Sequence, residues 1–60
     1  MKTYLLTNKG EIFTIKSFMI QGYKVEDDMG IEYFIHDENI VLVDTNLSLL
    51  RNKKSCMELV

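Results

Sequence analysis

The side chains that could do chemistry are mostly carboxylates, and they are bunched. Between Glu26 and Asp44 the chain carries seven acids (Glu26, Asp27, Asp28, Glu32, Asp37, Glu38 and Asp44) and no lysine or arginine. The only histidine is His36 and the only cysteine is Cys56. A hard cation needs several converging oxygens, which Asp27-Asp28 and Asp37-Glu38 could offer together. A strand of about five residues separates these two pairs, roughly 16 Å at strand rise, so they cannot share one ion. The acids also lack the ligand order of a calcium loop. One cysteine allows no internal disulfide, and no Cys/His quartet is present for zinc.

Proton transfer by His36 would require a nucleophile and an orienting group held in a cleft, and no such motif accompanies it. Cys56 follows Lys53 and Lys54, whose ammonium groups would lower its pKa if they converged on it. A small apolar residue on a helix is the simpler reading. The expectation is a protein that is not an enzyme, with no cofactor and no metal.

Charge remains as the functional clue. A face presenting Glu26, Asp27, Asp28, Glu32, Asp37 and Glu38, with Phe34 among them, would steer binding to a protein partner with a basic surface. A solvated surface is the plainer use of the same residues. The cations lie elsewhere: Lys2, Lys9, Lys16 and Lys24 early, then Arg51, Lys53 and Lys54 late. A nucleic-acid binder shows a dominant basic patch, and aromatic residues that stack on bases need a positive groove around them. Direct nucleic-acid binding is therefore the weaker expectation.

The elements that must position these residues can be read from the turn signals. Asn8-Lys9-Gly10, Gln21-Gly22, Asp27-Asp28-Met29-Gly30 and His36-Asp37-Glu38-Asn39 punctuate runs rich in β-branched and aromatic residues. Short strands at even spacing predict a small β-sandwich or barrel. Five strands are expected: Lys2–Thr7, Glu11–Ser17, Gly22–Glu26, Ile31–Ile35 and Asn39–Val43. Asp27 to Gly30 suits a type I turn followed by a glycine in the left-handed region, which closes a hairpin. Its inward set would be Tyr23, Val25, Ile31, Tyr33 and Ile35. Phe34 is then out of phase, alongside Glu32 and His36.

After Asp44 the pattern changes. Leu47, Leu50, Lys54 and Met57 form one helical stripe and Leu49, Lys53, Cys56 and Val60 its neighbour. Asp44, Thr45 or Asn46 could cap a helix over Thr45–Val60. Packed on the sheet, that helix would cover spare apolar positions such as Phe34; a frayed tail is the competing reading. The chain is one thin-cored domain, since about 60 residues bury only about 60% of the unfolded surface.

The run Lys9-Gly10-Glu11-Ile12-Phe13-Thr14-Ile15-Lys16, the hairpin Gly22 to Gly30, and the strands Glu32-Tyr33-Phe34-Ile35 and Val41-Leu42-Val43 resemble small SH3-like barrel proteins. Such barrels are encoded by phages and mobile elements of Gram-positive bacteria. The resemblance spans residues 1–44 and leaves residues 45–60 as a helix or tail. It implies an all-β or mostly β chain, a five-stranded SH3-like barrel, with no catalytic residues to carry over. The function it implies is a protein-binding module, in its sharpest form an inhibitor occupying the nucleic-acid groove of a defence or replication enzyme. The alternatives are a nucleic-acid-binding barrel using the lysine side with the basic tail, and a structural protein that forms homo-oligomers through strand edges or the apolar tail. The start of the chain is too short in apolar residues for a signal peptide, no run could span a bilayer, and a lone thiol suits a reducing compartment. A cytoplasmic protein (host bacterial cytoplasm if phage-encoded) with no membrane partner is expected.

Overall fold

The structure, a computed structural model, describes residues 1–59. The chain is mostly β: β1 (Tyr4–Thr7), β2 (Ile12–Met19), β3 (Gly22–Glu26), β4 (Glu32–His36), a 3-10 turn over Asp37–Asn39, β5 (Ile40–Asp44) and a C-terminal helix α1 (Leu47–Glu58). The strands form one antiparallel sheet in the order β4-β3-β2-β1-β5. No ladder joins β4 to β5 among the described residues, so the sheet is open and the expected closed barrel is not formed.

The sheet is nevertheless strongly curled. Laid flat, the two edge strands would stand about 19 Å apart, four spacings of roughly 4.8 Å. Only Asp37–Asn39 connects them, and four Cα steps reach at most about 14 Å. The bend is supplied by β2, which is shared between two ladders. Its first half pairs with β1 (Leu5 with Phe13, Leu6 with Ile12) and its second half with β3 (Phe18 with Tyr23, Met19 with Gly22). An extra residue between Ile15 and Ser17 breaks the β2–β3 register, and such a bulge bends the strand and increases its twist.

Two small cores result, one on each face. The register places Leu5, Phe13, Ile15, Val25, Tyr33, Ile35 and Val43 on the concave face. Leu5 and Val25 are fully buried there, and the rings of Phe13 and Tyr33 meet at 5.4 Å across β3. On the opposite face of β1 and β5 lie Leu6 and Leu42, covered by α1, whose Leu50 is also fully buried. Of the two expected stripes, Leu47, Leu50, Lys54 and Met57 is the one turned to the sheet, while Leu49, Lys53 and Cys56 are exposed. The helix starts on Asn46, whose side chain accepts the Ser48 N–H at 3.0 Å. Cys56 lies on the helix, with its thiol exposed to solvent.

Three further expectations are corrected by the register. Ile31 lies outside β4 and is half exposed, so it does not belong to the inward set; Tyr23, Val25, Tyr33 and Ile35 do share one face. β2 runs two residues past Ser17, because the bulge shifts the phase of its alternation. α1 packs on β1 and β5 and leaves Phe34 41% exposed. Val60, included in the expected helix, lies outside the described residues.

Candidate functional site

The seven residues expected to form a partner-binding face are not gathered into one patch. Glu26 and Glu32 stand directly opposite each other on β3 and β4. Like charges so placed repel, and each is answered by a lysine: Lys16 lies 3.7 Å from Glu26 and Lys24 lies 3.1 Å from Glu32. The sequence span without lysine thus becomes a surface of alternating sign, because neighbouring strands contribute the cations. Asp27 and Asp28 sit in the turn at one end of β4, Asp37 and Glu38 in the 3-10 turn at its other end. No three His, Cys, Asp or Glu side chains gather as metal ligands among the described residues.

Asp27 has a structural task. Its Oδ1 accepts the N–H groups of Met29 (2.9 Å) and Ile31 (3.0 Å), and its Oδ2 accepts the hydroxyl of Tyr33 (3.2 Å). The Ile31 N–H foremost, helped by Met29 and Tyr33, holds the Asp27 carboxyl below the usual carboxylate range. Desolvation, and then the same carboxylate, raise the Tyr33 phenol above its ordinary value. Gly30 closes the turn at φ 81°, its N–H donating to the Asp27 carbonyl at 3.1 Å. This is the expected type I turn with a left-handed glycine.

The surface that stands out lies at the opposite end of β3. From Lys16 to Gln21 every residue is exposed, yet three in a row are large and apolar. Phe18 is 76% exposed, Met19 52% and Ile20 90%. They form the end of β2 and the two-residue turn Ile20-Gln21. Gln21 holds φ 65°, in the left-handed region where a side chain costs about 1–2 kcal/mol. The residue types therefore work against both solubility and backbone geometry at one spot, and such conflicts concentrate where a surface is used.

Its neighbours extend the patch along both faces of the hairpin. On the concave side Phe18 packs on Tyr23, ring centres 5.4 Å apart. On the other side Met19, Lys24, Glu32, Tyr33 and Phe34 line a shallow groove. Phe34 can lie flat there because Gly22 has no side chain. A Cβ at Gly22 would stand 2.3 Å from the Ile35 carbonyl oxygen and 2.7 Å from Phe34 Cζ. Charge flanks the tip too. The Asp37 N–H donates to the Gln21 carbonyl at 2.9 Å, and Gln21, His36, Asp37 and Glu38 line a common hollow. Of the expected set, Phe34, Glu32, Asp37 and Glu38 thus adjoin the apolar hairpin, and Glu26, Asp27 and Asp28 do not.

Reading the charges missed Phe18, Met19 and Ile20. The available signal was an unbroken apolar triplet running into a turn, where alternation should have given polar residues. A second cleft, between α1 and the sheet, is lined by Tyr4, Thr14, Glu26, Asp28, Arg51 and Lys54 and mixes both signs of charge. No helix is long and apolar enough to cross a membrane among the described residues. Comparison with protein-family models, curated proteins and solved structures finds no significant match to this chain.

Proposed function

We propose that this chain is a non-enzymatic protein-binding module that docks by the tip of its β2–β3 hairpin. The observation that carries the reading is the exposed triplet Phe18-Met19-Ile20 on a turn whose Gln21 is left-handed. Asp37 and Glu38 beside the tip fit it to a partner with an apolar cleft rimmed by basic groups. This keeps the expected basic partner and moves the contact away from Asp27 and Asp28. The strand order, with β5 returning beside β1 after a one-turn 3-10 connection, supports an SH3-like module with an open seam.

The form of the reading in which all the acids make one docking face has less support, since Glu26 and Glu32 already face lysines. The two forms separate in one experiment. The immobilised chain is compared with a Phe18→Lys/Ile20→Lys variant and with an Asp27→Asn/Asp28→Asn variant, each checked for its fold by circular dichroism. Loss of a captured partner from the tip variant alone is the expected result. Undiminished capture by the tip variant overturns the proposal, and loss from the turn variant alone transfers the site to the acids.

A further inference from the structure

We infer that the outer edge of β4 pairs with the same edge of a second copy of this chain, antiparallel about a twofold axis at Phe34. As an edge strand, β4 turns one set of backbone groups away from the sheet. In an antiparallel ladder, opposed residues alternate between exchanging hydrogen bonds and not. The Asp27 N–H donates to the Ile31 carbonyl at one end of the β3–β4 hairpin, and the Asp37 N–H to the Gln21 carbonyl at the other. The register between them is unbroken. The bonded pairs are therefore Val25 with Tyr33 and Tyr23 with Ile35. The N–H and C=O groups of Glu32 and Phe34 and the N–H of His36 point away from β3 and join no other ladder among the described residues, while the His36 carbonyl opens the 3-10 turn over Asp37–Asn39.

This edge is short and carries Glu32 but lacks most of the other usual guards. Proteins blunt edge strands with lysine, proline, bulges or a covering segment. β4 reads Glu-Tyr-Phe-Ile-His, with no lysine, proline or bulge, and four of its five residues are exposed. Its centre, Tyr33-Phe34-Ile35, has high strand propensity.

Set antiparallel to itself about Phe34, the strand is self-complementary, as a twofold contact must be. Glu32 faces His36 of the second copy, a carboxylate against an imidazole, at both ends of the contact. Phe34 faces Phe34 and Tyr33 faces Ile35. The outward groups of Glu32 and Phe34 and the N–H of His36 are those that such a register bonds, about four hydrogen bonds in all. The axis stands perpendicular to the sheet, so the Met19–Phe34 grooves of the two copies join on one face. The pairing is independent of what the hairpin tip binds.

The backbone supplies a clean test. His36 has φ −70°, close to the angle that proline fixes at about −65°. Its N–H faces outward, where proline on an edge strand is tolerated. His36→Pro therefore fits the single chain and removes a donor from each half of the dimer. Sedimentation of the wild type at rising concentration is expected to show the apparent mass doubling. His36→Pro is expected to weaken that dimer at least about tenfold while keeping the wild-type circular dichroism and melting temperature at low concentration. Glu32→Lys and His36→Glu are each expected to weaken it, and the double exchange to restore it. This second series decides the question if His36→Pro fails to fold. A wild type that stays monomeric up to its solubility limit, a dimer that withstands all of these variants, or larger assemblies that never stop at two copies would overturn the inference.

Discussion

Two hairpins adjoin β3, and they are built on opposite terms. The β3–β4 turn exposes Met29 but places an aspartate and a glycine where backbone geometry asks for them, and Asp27 satisfies two N–H groups and a hydroxyl. The β1–β2 turn repeats the design. The Thr7 hydroxyl accepts the Lys9 and Glu11 N–H groups, and Gly10 takes φ 80°. The β2–β3 turn has neither device. It sets a glutamine at positive φ and carries an exposed isoleucine at its apex. Turns that follow the local rules stabilise the chain; the one that breaks them is where a partner is to be sought.

The sharpest test of this contrast is Gly22, the one glycine of the β2–β3 hairpin. Gly22→Ala drives a methyl group into the Ile35 carbonyl and the Phe34 ring, and is expected to cost about 3 kcal/mol in denaturant unfolding. Gly30→Val meets open space and pays only for its backbone, about 2 kcal/mol, and Gly10→Val should match it. A large gap between these two would break the analogy between the ordered turns. Asp27→Asn acts on the pH profile. Because the folded carboxyl titrates below its ordinary value of 3.8, its stabilisation is present above that value and is lost as pH falls through the folded one. Thermal melts of the variant should therefore show a flatter acid limb. Gln21→Gly is expected to raise stability by about 0.5–1 kcal/mol while leaving the apolar tip in place. Smallest of all, Ile20→Lys should alter stability by less than about 0.5 kcal/mol, since the side chain touches little, yet remove partner capture.

Local rules made the ordered turns legible in advance. Asp27 to Gly30 and the bounds of β3 follow from spacing and residue type alone, and so do the two helical stripes, but not that Leu47, Leu50, Lys54 and Met57 is the one turned to the sheet. The end of β2 was hidden because a bulge at Lys16 reverses its alternation, and because glutamine is not a residue that announces a left-handed turn. The cover of Phe34 was hidden for a different reason. It depends on which residue faces it across the ladder, and Gly22 leaves space there that no helix fills. The acidic block misled because adjacency along the chain is not adjacency on a face: Lys16 and Lys24 enter it from β2 and β3.

The strand order also carries a kinetic consequence. Three of the four ladders join consecutive strands through short turns, whereas the fourth sets Tyr4 against Asp44 and Leu6 against Leu42 across most of the chain. Closing that long loop is entropically the costliest step, and folding slows with the sequence separation of its contacts. The β1-to-β4 meander can zip locally, whereas the burial of Leu6 needs both β5 and α1 in place. Substitutions in the three hairpins should then change the folding rate, and substitutions at Leu50 should mainly change the unfolding rate.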